Sequence, residues 1–193
     1  GGTLAQGPLA PAGFVERVAA ELRLRLGKSA NTLDYVQALA ALAGGPAVPT
    51  RVRMDLAMLF LELLEQEVSG DLAVETQTKE GTLLEVKRPA QLYTDFLPAV
   101  VEGLERVATA PGISESLVER VTTRMIAKWG EVSEYRVIWG PNAVMRLAEA
   151  LGAIGSAAGT PLYLKLAVLA ALRGRISNLT IAQLLGRILT GPE

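Results

Sequence analysis

The chain has 193 residues, a formal net charge of −1, and neither histidine nor cysteine. The lack of cysteine excludes disulfides, thiolate zinc sites and cysteine nucleophiles, and the lack of histidine excludes His-based catalytic triads and zinc hydrolase sites. Half of the residues are apolar, which fits close helix packing or a subunit that buries surface against partners. No set of nucleophile, base and orienting group can be assigned from the remaining residue types. We therefore predict a non-enzymatic protein without a cofactor.

Apolar spacing predicts a mainly α fold, a helical bundle of about seven to eight helices with one small β-hairpin insertion. Residues 1–13 are rich in Gly, Pro and Ala and are predicted to form a flexible tail. Three helices follow, at about Phe14–Leu26, Asn31–Ala43 and Thr50–Val68, separated by Gly and Pro breaks. The third has a wide apolar stripe, which is typical of a central core helix.

The period of the pattern changes after the third helix. Side chains alternate over Leu72–Thr78, and β-forming residues dominate Thr82–Lys87, as in two strands joined by a glycine-containing turn. Pro89 is predicted to end the second strand and to lead into a fourth helix at about Ala90–Thr109. Pro98 should kink that helix.

The second half of the chain also reads as helical. A Pro-Gly pair at 111–112 marks the best boundary between a helical subdomain with the hairpin, 14–110, and a C-terminal helical subdomain, 111–193. Capping residues and apolar spacing predict its helices at about Ser116–Trp129, Pro141–Leu151, Pro161–Leu172 and Asn178–Leu189.

Two stretches between these helices are harder to interpret. Residues 132–139 alternate as in a short strand, and we leave strand and helix open there. Residues 152–159 include three glycines. A phosphate-binding loop would need a strand before it and a lysine at the start of the following helix, so we predict a flexible connector over Ile154–Gly159.

Charge is unevenly distributed along the chain. Residues 51–110 carry six basic and eleven acidic side chains, and residues 111–193 carry nine basic and six acidic ones. An acidic middle and a basic end favour self-association or a polyanionic partner at the basic end. The carboxylates between 62 and 85 lack the alternating Asp and Asn pattern of a metal loop, so we expect a solvated surface and no metal there.

Membrane and export signals are not visible in the sequence. The first twenty residues lack a basic start followed by an apolar core. The apolar stretch at 143–172 is interrupted by charged residues and proline, whereas a membrane span needs about 20 clean apolar residues. A cytoplasmic protein without membrane contact is expected.

Five basic residues are candidates for holding a nucleic-acid backbone. Arg120, Arg124 and Lys128 recur at four-residue steps on the fifth helix, and Arg173 and Arg175 lie in the same basic portion of the chain. Such a row can bind phosphates without reading base sequence; the alternative is an ordinary solvated helix face. Four aromatic residues near it in sequence either stack bases or belong to the core: Trp129, Tyr135, Trp139 and Tyr163.

Residues 171–184 carry a different hypothesis. A helix, a short turn and a second capped helix resemble a helix-turn-helix, in which Asn178 and Gln183 would face DNA bases. The turn has Arg175 where that unit normally has glycine, with Gly174 one place early. An ordinary two-helix hairpin explains the same pattern.

A family resemblance involves the hairpin and the helix after it. Helices lead to a charged hairpin and then to Leu84-Glu85-Val86-Lys87-Arg88-Pro89, followed by Asp95-Phe96-Leu97 and Val100-Val101. This order resembles the small subunit of archaeal type I-A CRISPR effector complexes, the Cascade small subunit, over residues 31–110. The resemblance implies a non-enzymatic helical subunit that stacks inside the effector and contacts guide RNA or the displaced target strand. It also implies that the hairpin offers an edge or a charged knob to a neighbouring subunit.

The leading prediction is thus a subunit of a nucleoprotein complex. Its partners would be other protein subunits, further copies of itself, and a nucleic-acid backbone contacted without sequence preference. Two alternatives remain open: a helix-turn-helix transcriptional regulator, and a viral or assembly-type structural protein.

Overall fold

A computed structural model describes residues 13–25, 32–65, 72–79, 82–89, 91–134, 136–173 and 179–190. Eight helices lie in this described part, numbered in chain order: α1 Phe14–Arg25, α2 Thr32–Ala43, α3 Thr50–Glu65, α4 Gln91–Ala108, α5 Glu115–Glu134, α6 Arg136–Ser156, α7 Leu162–Arg173 and α8 Leu179–Thr190. The predicted helical class is confirmed. The predicted tail lies almost wholly outside the described residues.

Extended backbone is found between α3 and α4. Strand β1 (Leu72–Lys79) pairs antiparallel with β2 (Thr82–Pro89), with Leu72 opposite Pro89. Strand β2 ends at Pro89 as predicted, two residues beyond Lys87, because proline is tolerated at the end of an edge strand, where no ladder donor is needed. The turn at 80–81 lies outside the described residues, and the role of this segment as an insertion that meets a neighbour stays a prediction.

Helix α4 occupies the centre of the bundle. It packs against α2, α3, α5 and α6, and Leu97, Val100 and Leu104 are almost completely buried. Helix α3 has the predicted wide buried stripe, but the central position predicted for α3 belongs to α4. Stripe width could not separate the two, since both helices are buried broadly. Pro98 lies inside α4, and the kink predicted there stays a prediction.

The hydrophobic core is continuous across the predicted subdomain boundary. Buried side chains on both sides of residues 111–112 belong to one cluster. An ion pair also crosses the boundary, from Arg146 Nη1 on α6 to Glu105 Oε2 on α4 at 2.6 Å. Gly112 adopts a positive φ of 76° in the turn between α4 and α5, which glycine accommodates without strain. The division at this point remains a prediction, and the two parts share their core.

Helices α5 and α7 run side by side in the same direction. Tyr163 at the start of α7 contacts Glu119 near the start of α5, and the Trp129 indole near the end of α5 donates to the Ala171 carbonyl at the end of α7. The ambiguous run at 132–139 is helical where described, forming the end of α5 and the start of α6. The strand interpretation is wrong for the described residues, because 132–134 belong to α5 and 136–139 belong to α6.

The first half of the predicted connector, Ile154–Gly159, is helix. Gly152 and Gly155 lie inside α6, which continues to Ser156. A Cβ placed on Gly152 would lie 2.8 Å from Leu184 Cδ2, and one on Gly155 would lie 3.1 Å from Ile188 Cδ1. These two glycines therefore let α8 approach α6 closely, and only residues 157–159 of the predicted connector lie outside the helix.

Two arginines hold the end of α2. The Arg53 guanidinium, which is buried, donates to the Gly45 carbonyl at 2.8 Å, and Arg106 donates to the Ala40 carbonyl at 3.2 Å. The Ala40 carbonyl is one of the last four of α2, which have no partner within the helix, and Arg106 satisfies it. Arg53 holds the Gly45 carbonyl in the turn after the helix. These arginines therefore have structural roles.

Membrane crossing can be judged for the described helices. None of them combines the length and the apolar character that a bilayer-spanning helix requires.

Candidate nucleic-acid interface

Helix α5 carries three of the five predicted phosphate contacts, and its two flanks differ in charge. Glu115 and Glu119 accept hydrogen bonds from the Tyr163 hydroxyl and so lie on the flank that faces α7. Arg124 pairs with Glu65 and so lies on the flank that faces α3. The inward residues between them, including Val121 and Met125, are fully buried. The solvent-facing surface of α5 is thus acidic toward α7 and basic toward α3.

Arg120 and Arg124 form the basic flank. They lie one turn apart on α5, and both are exposed. Arg124 Nη1 lies 2.9 Å from Glu65 Oε1, with 53% and 49% of the two side chains exposed. An ion pair this exposed contributes about 0–1 kcal/mol, so a phosphate group can replace the carboxylate at little cost.

Lys128 does not extend this basic surface. Only 10% of its side chain is exposed, and its Nζ lies 3.1 Å and 3.2 Å from the two carboxylate oxygens of Glu131. Its alkyl stem lies against the core, as long basic side chains often do at the edge of an apolar face. The four-residue spacing alone could not distinguish this position from an exposed one.

Arg173 is separated from the basic flank of α5. It is exposed at the last residue of α7, beside the end of α5 that carries Trp129. Arg124 instead points to α3. Arg175 lies outside the described residues. The structure therefore keeps Arg120 and Arg124 together and places Arg173 apart from them.

The aromatic residues near the basic helix divide between core and surface. Trp129 is 2% exposed, and its Nε1 donates to the Ala171 carbonyl at 3.0 Å; its assignment to the core is confirmed. Tyr163 is 47% exposed. Tyr135 and the side chain of Trp139 lie outside the described part of the structure.

Tyr163 has a perturbed acidity that can be measured. Desolvation and the hydrogen bond to Glu119, at 2.9 Å, raise its pKa from 10.0 to about 12. Because the folded pKa lies above the ordinary value, the contribution of this phenol to stability is present below about pH 10 and is lost as the pH rises through 12. We expect Tyr163 to ionise after ordinary tyrosines in an ultraviolet titration, and Glu119→Gln to lower its pKa. Loss of the late transition in Tyr163→Phe would assign that transition to Tyr163. A late transition that persists in this variant would contradict the assignment.

A second surface feature is a cleft between α4, α6 and α8. It has a volume of about 410 Å³ and a polar lining. Its charged lining residues are balanced in sign: Glu105, Arg146, Glu149 and Arg187. The cleft is not visible in the sequence, because its walls come from three helices that are separated along the chain. Balanced charge does not select an anion, so the cleft adds no support for phosphate binding.

The helix-turn-helix hypothesis is not decided by the structure. Its two helices would be α7 and α8, and the connecting turn at 174–178, with Asn178, lies outside the described residues. Gln183 is exposed, and it lines the cleft beside α6. The hypothesis stays a prediction.

Comparison with known proteins gives no additional identification. The chain matches no family model, no curated protein and no solved structure. The resemblance to the Cascade small subunit therefore stays a prediction. Within the described residues no group of three or more acidic side chains is placed to hold a metal ion.

Proposed function

We propose that this chain is a non-enzymatic, cytoplasmic subunit of a nucleoprotein assembly, in which the basic flank of α5 contacts a nucleic-acid backbone. The observation that supports it is the exposed pair Arg120 and Arg124, one turn apart on a rigid helix of 20 residues. Such a pair can neutralise two neighbouring phosphates without reading the bases. The order of hairpin and helix, which resembles the Cascade small subunit, supports the same proposal.

The contact would be weak for one isolated chain. Two neutralised phosphates give a salt dependence with a slope of about −1.4 in log affinity against log salt for a single strand. Arg124 must also leave Glu65, although that exposed pair contributes little. Useful affinity then comes from several subunits acting on one strand, because linked contacts raise avidity without new chemistry.

Charge reversal on α5 tests this proposal. We expect the double variant Arg120→Glu, Arg124→Glu to bind single-stranded RNA or DNA about tenfold more weakly at low salt, with a smaller salt slope. Fluorescence anisotropy over a salt series measures both quantities. Unchanged helical circular dichroism would show that the variant folds.

A matched double variant on α1 controls for net charge. Arg17→Glu, Arg23→Glu changes the net charge by the same amount at two exposed positions of another helix. If both double variants lose binding equally, the effect is one of overall charge and the α5 site is not supported. Wild-type binding to a duplex of defined sequence, in preference to single strands, would instead support the regulator.

A further inference from the structure

One face of α7 is apolar and exposed to solvent. Among its side chains, Leu162 is 70% exposed, Leu166 56% and Tyr163 47%. Ala167 and Ala170 on the same face are also exposed. The opposite face is buried, with Leu164, Val168 and Leu172 in the core. A helix with one apolar face in the core and a second in solvent is typical of an interaction surface.

The two ends of this face carry opposite charge. At its start, the Tyr163 hydroxyl is bound by Glu119 at 2.9 Å and by Glu115 at 3.4 Å. At its end stands the exposed Arg173. An apolar stripe with a negative end and a positive end is complementary to a second copy of itself turned end for end.

We propose that the α7 faces of two chains pack antiparallel about a two-fold axis to form a homodimer. With the axis level with Val168, Leu166 of one copy lies opposite Ala170 of the other, so that a large side chain meets a small one. The same axis places Arg173 opposite Tyr163 and its bound Glu119. The register follows from spacing along the helix. Residues 166 and 170 are each two positions from 168, and residues 163 and 173 are each five positions from it.

The size of the face sets the strength of the pairing. Helix α7 has 12 residues and is therefore about 18 Å long. One pair of such helices buries less than the roughly 800 Å² per partner of a standard interface. We therefore expect a dimer with a Kd of about 10–100 µM, which a scaffold or nucleic acid would strengthen by avidity. The dimer does not depend on the proposed nucleic-acid contact, because it does not use Arg120 or Arg124.

Sedimentation velocity over a roughly hundredfold range of chain concentration tests the dimer. We expect the mass to rise from that of one chain, 20.4 kDa, to twice that value and no further. Leu166→Glu should hold the chain as a monomer. Leu189→Glu is the matched control, because Leu189 is 73% exposed on α8 and should leave the dimer unchanged.

A mixing experiment tests the antiparallel register. Arg173→Glu alone places like charges together at both ends of the dimer, and so does Glu119→Arg alone. Mixing the two variants restores opposite charges at both ends, so the heterodimer should form where each variant alone is monomeric. A wild-type chain that stays monomeric, equal behaviour of the two leucine variants, or a mixture that does not associate would each overturn the proposal. Association of more than two chains would contradict the two-fold dimer and would indicate open-ended stacking of chains.

Discussion

Replacing Gly103 with alanine is expected to destabilise the protein by about 1–3 kcal/mol, although alanine is the better helix former. Gly103 lies inside α4, where alanine normally gains about 1 kcal/mol over glycine. A Cβ at this position would lie 2.5 Å from Cε2 and 2.6 Å from Cζ of Phe60 on α3. Phe60 is 0% exposed, so its ring cannot move into solvent. The clash therefore outweighs the gain in helix propensity.

Gly130→Ala is the matched control for Gly103→Ala. Gly130 lies inside α5, and a Cβ there meets no atom within 4 Å. We expect this change to stabilise the protein by up to about 1 kcal/mol. Urea unfolding of both variants measures the difference. Equal effects at the two glycines would show that α3 and α4 are not packed as described.

A second substitution relieves the clash and identifies its source. Phe60→Leu alone should cost about 1–2 kcal/mol, because it removes buried ring atoms. In the Gly103→Ala background the smaller side chain makes room for the new methyl group. The combined loss should therefore be smaller than the sum of the two single losses by about 1 kcal/mol. Simple additivity would assign the effect of Gly103→Ala to a cause other than Phe60.

Apolar periodicity predicted the helices and most of their inward positions. On the fifth helix the apolar spacing of Val118, Val121, Met125 and Trp129 predicts that these side chains face inward, and all four are buried. Helix α1 shows the limit of that method. The four-residue spacing of Phe14, Val18 and Leu22 predicts that they form its inward face. They are only partly buried, whereas Val15 and Ala19 are buried. Periodicity shows approximately which face of a helix is buried. The packing of the neighbouring helices determines which residues lie at the centre of that face.

The candidate site could be predicted only in part, for a related physical reason. The spacing of Arg120, Arg124 and Lys128 places them in one row, but the row runs obliquely from solvent into the boundary with the core. Arg120 and Arg124 remain exposed and Lys128 is buried. The sequence also cannot show that Glu65, 59 positions before Arg124, lies 2.9 Å from it. Pairing across helices depends on the packing of the bundle.

Close approach of helices was the feature least accessible from the sequence. Gly152 and Gly155 follow the predicted end of the sixth helix at Leu151, and glycine lowers helix propensity. Their actual role is to admit Leu184 and Ile188 of α8, which gives a packing gain larger than the propensity loss. A single sequence shows the low helix propensity of glycine but does not show which side chain packs against it.

Replacing Trp129 with alanine is expected to cost about 3–5 kcal/mol, a large share of the 5–15 kcal/mol that stabilises a typical domain. Trp129 is 2% exposed and lies between α5 and α7. Trp129→Phe separates packing from hydrogen bonding, because it keeps an aromatic ring and removes the donor to the Ala171 carbonyl. That variant should cost about 1–3 kcal/mol.

Urea unfolding measures these differences. The exposed Leu189→Ala is the control, and we expect its free energy of unfolding to lie within about 0.5 kcal/mol of wild type. If Trp129→Ala lowers the free energy of unfolding by less than about 1 kcal/mol, α7 is not packed against this side chain as described.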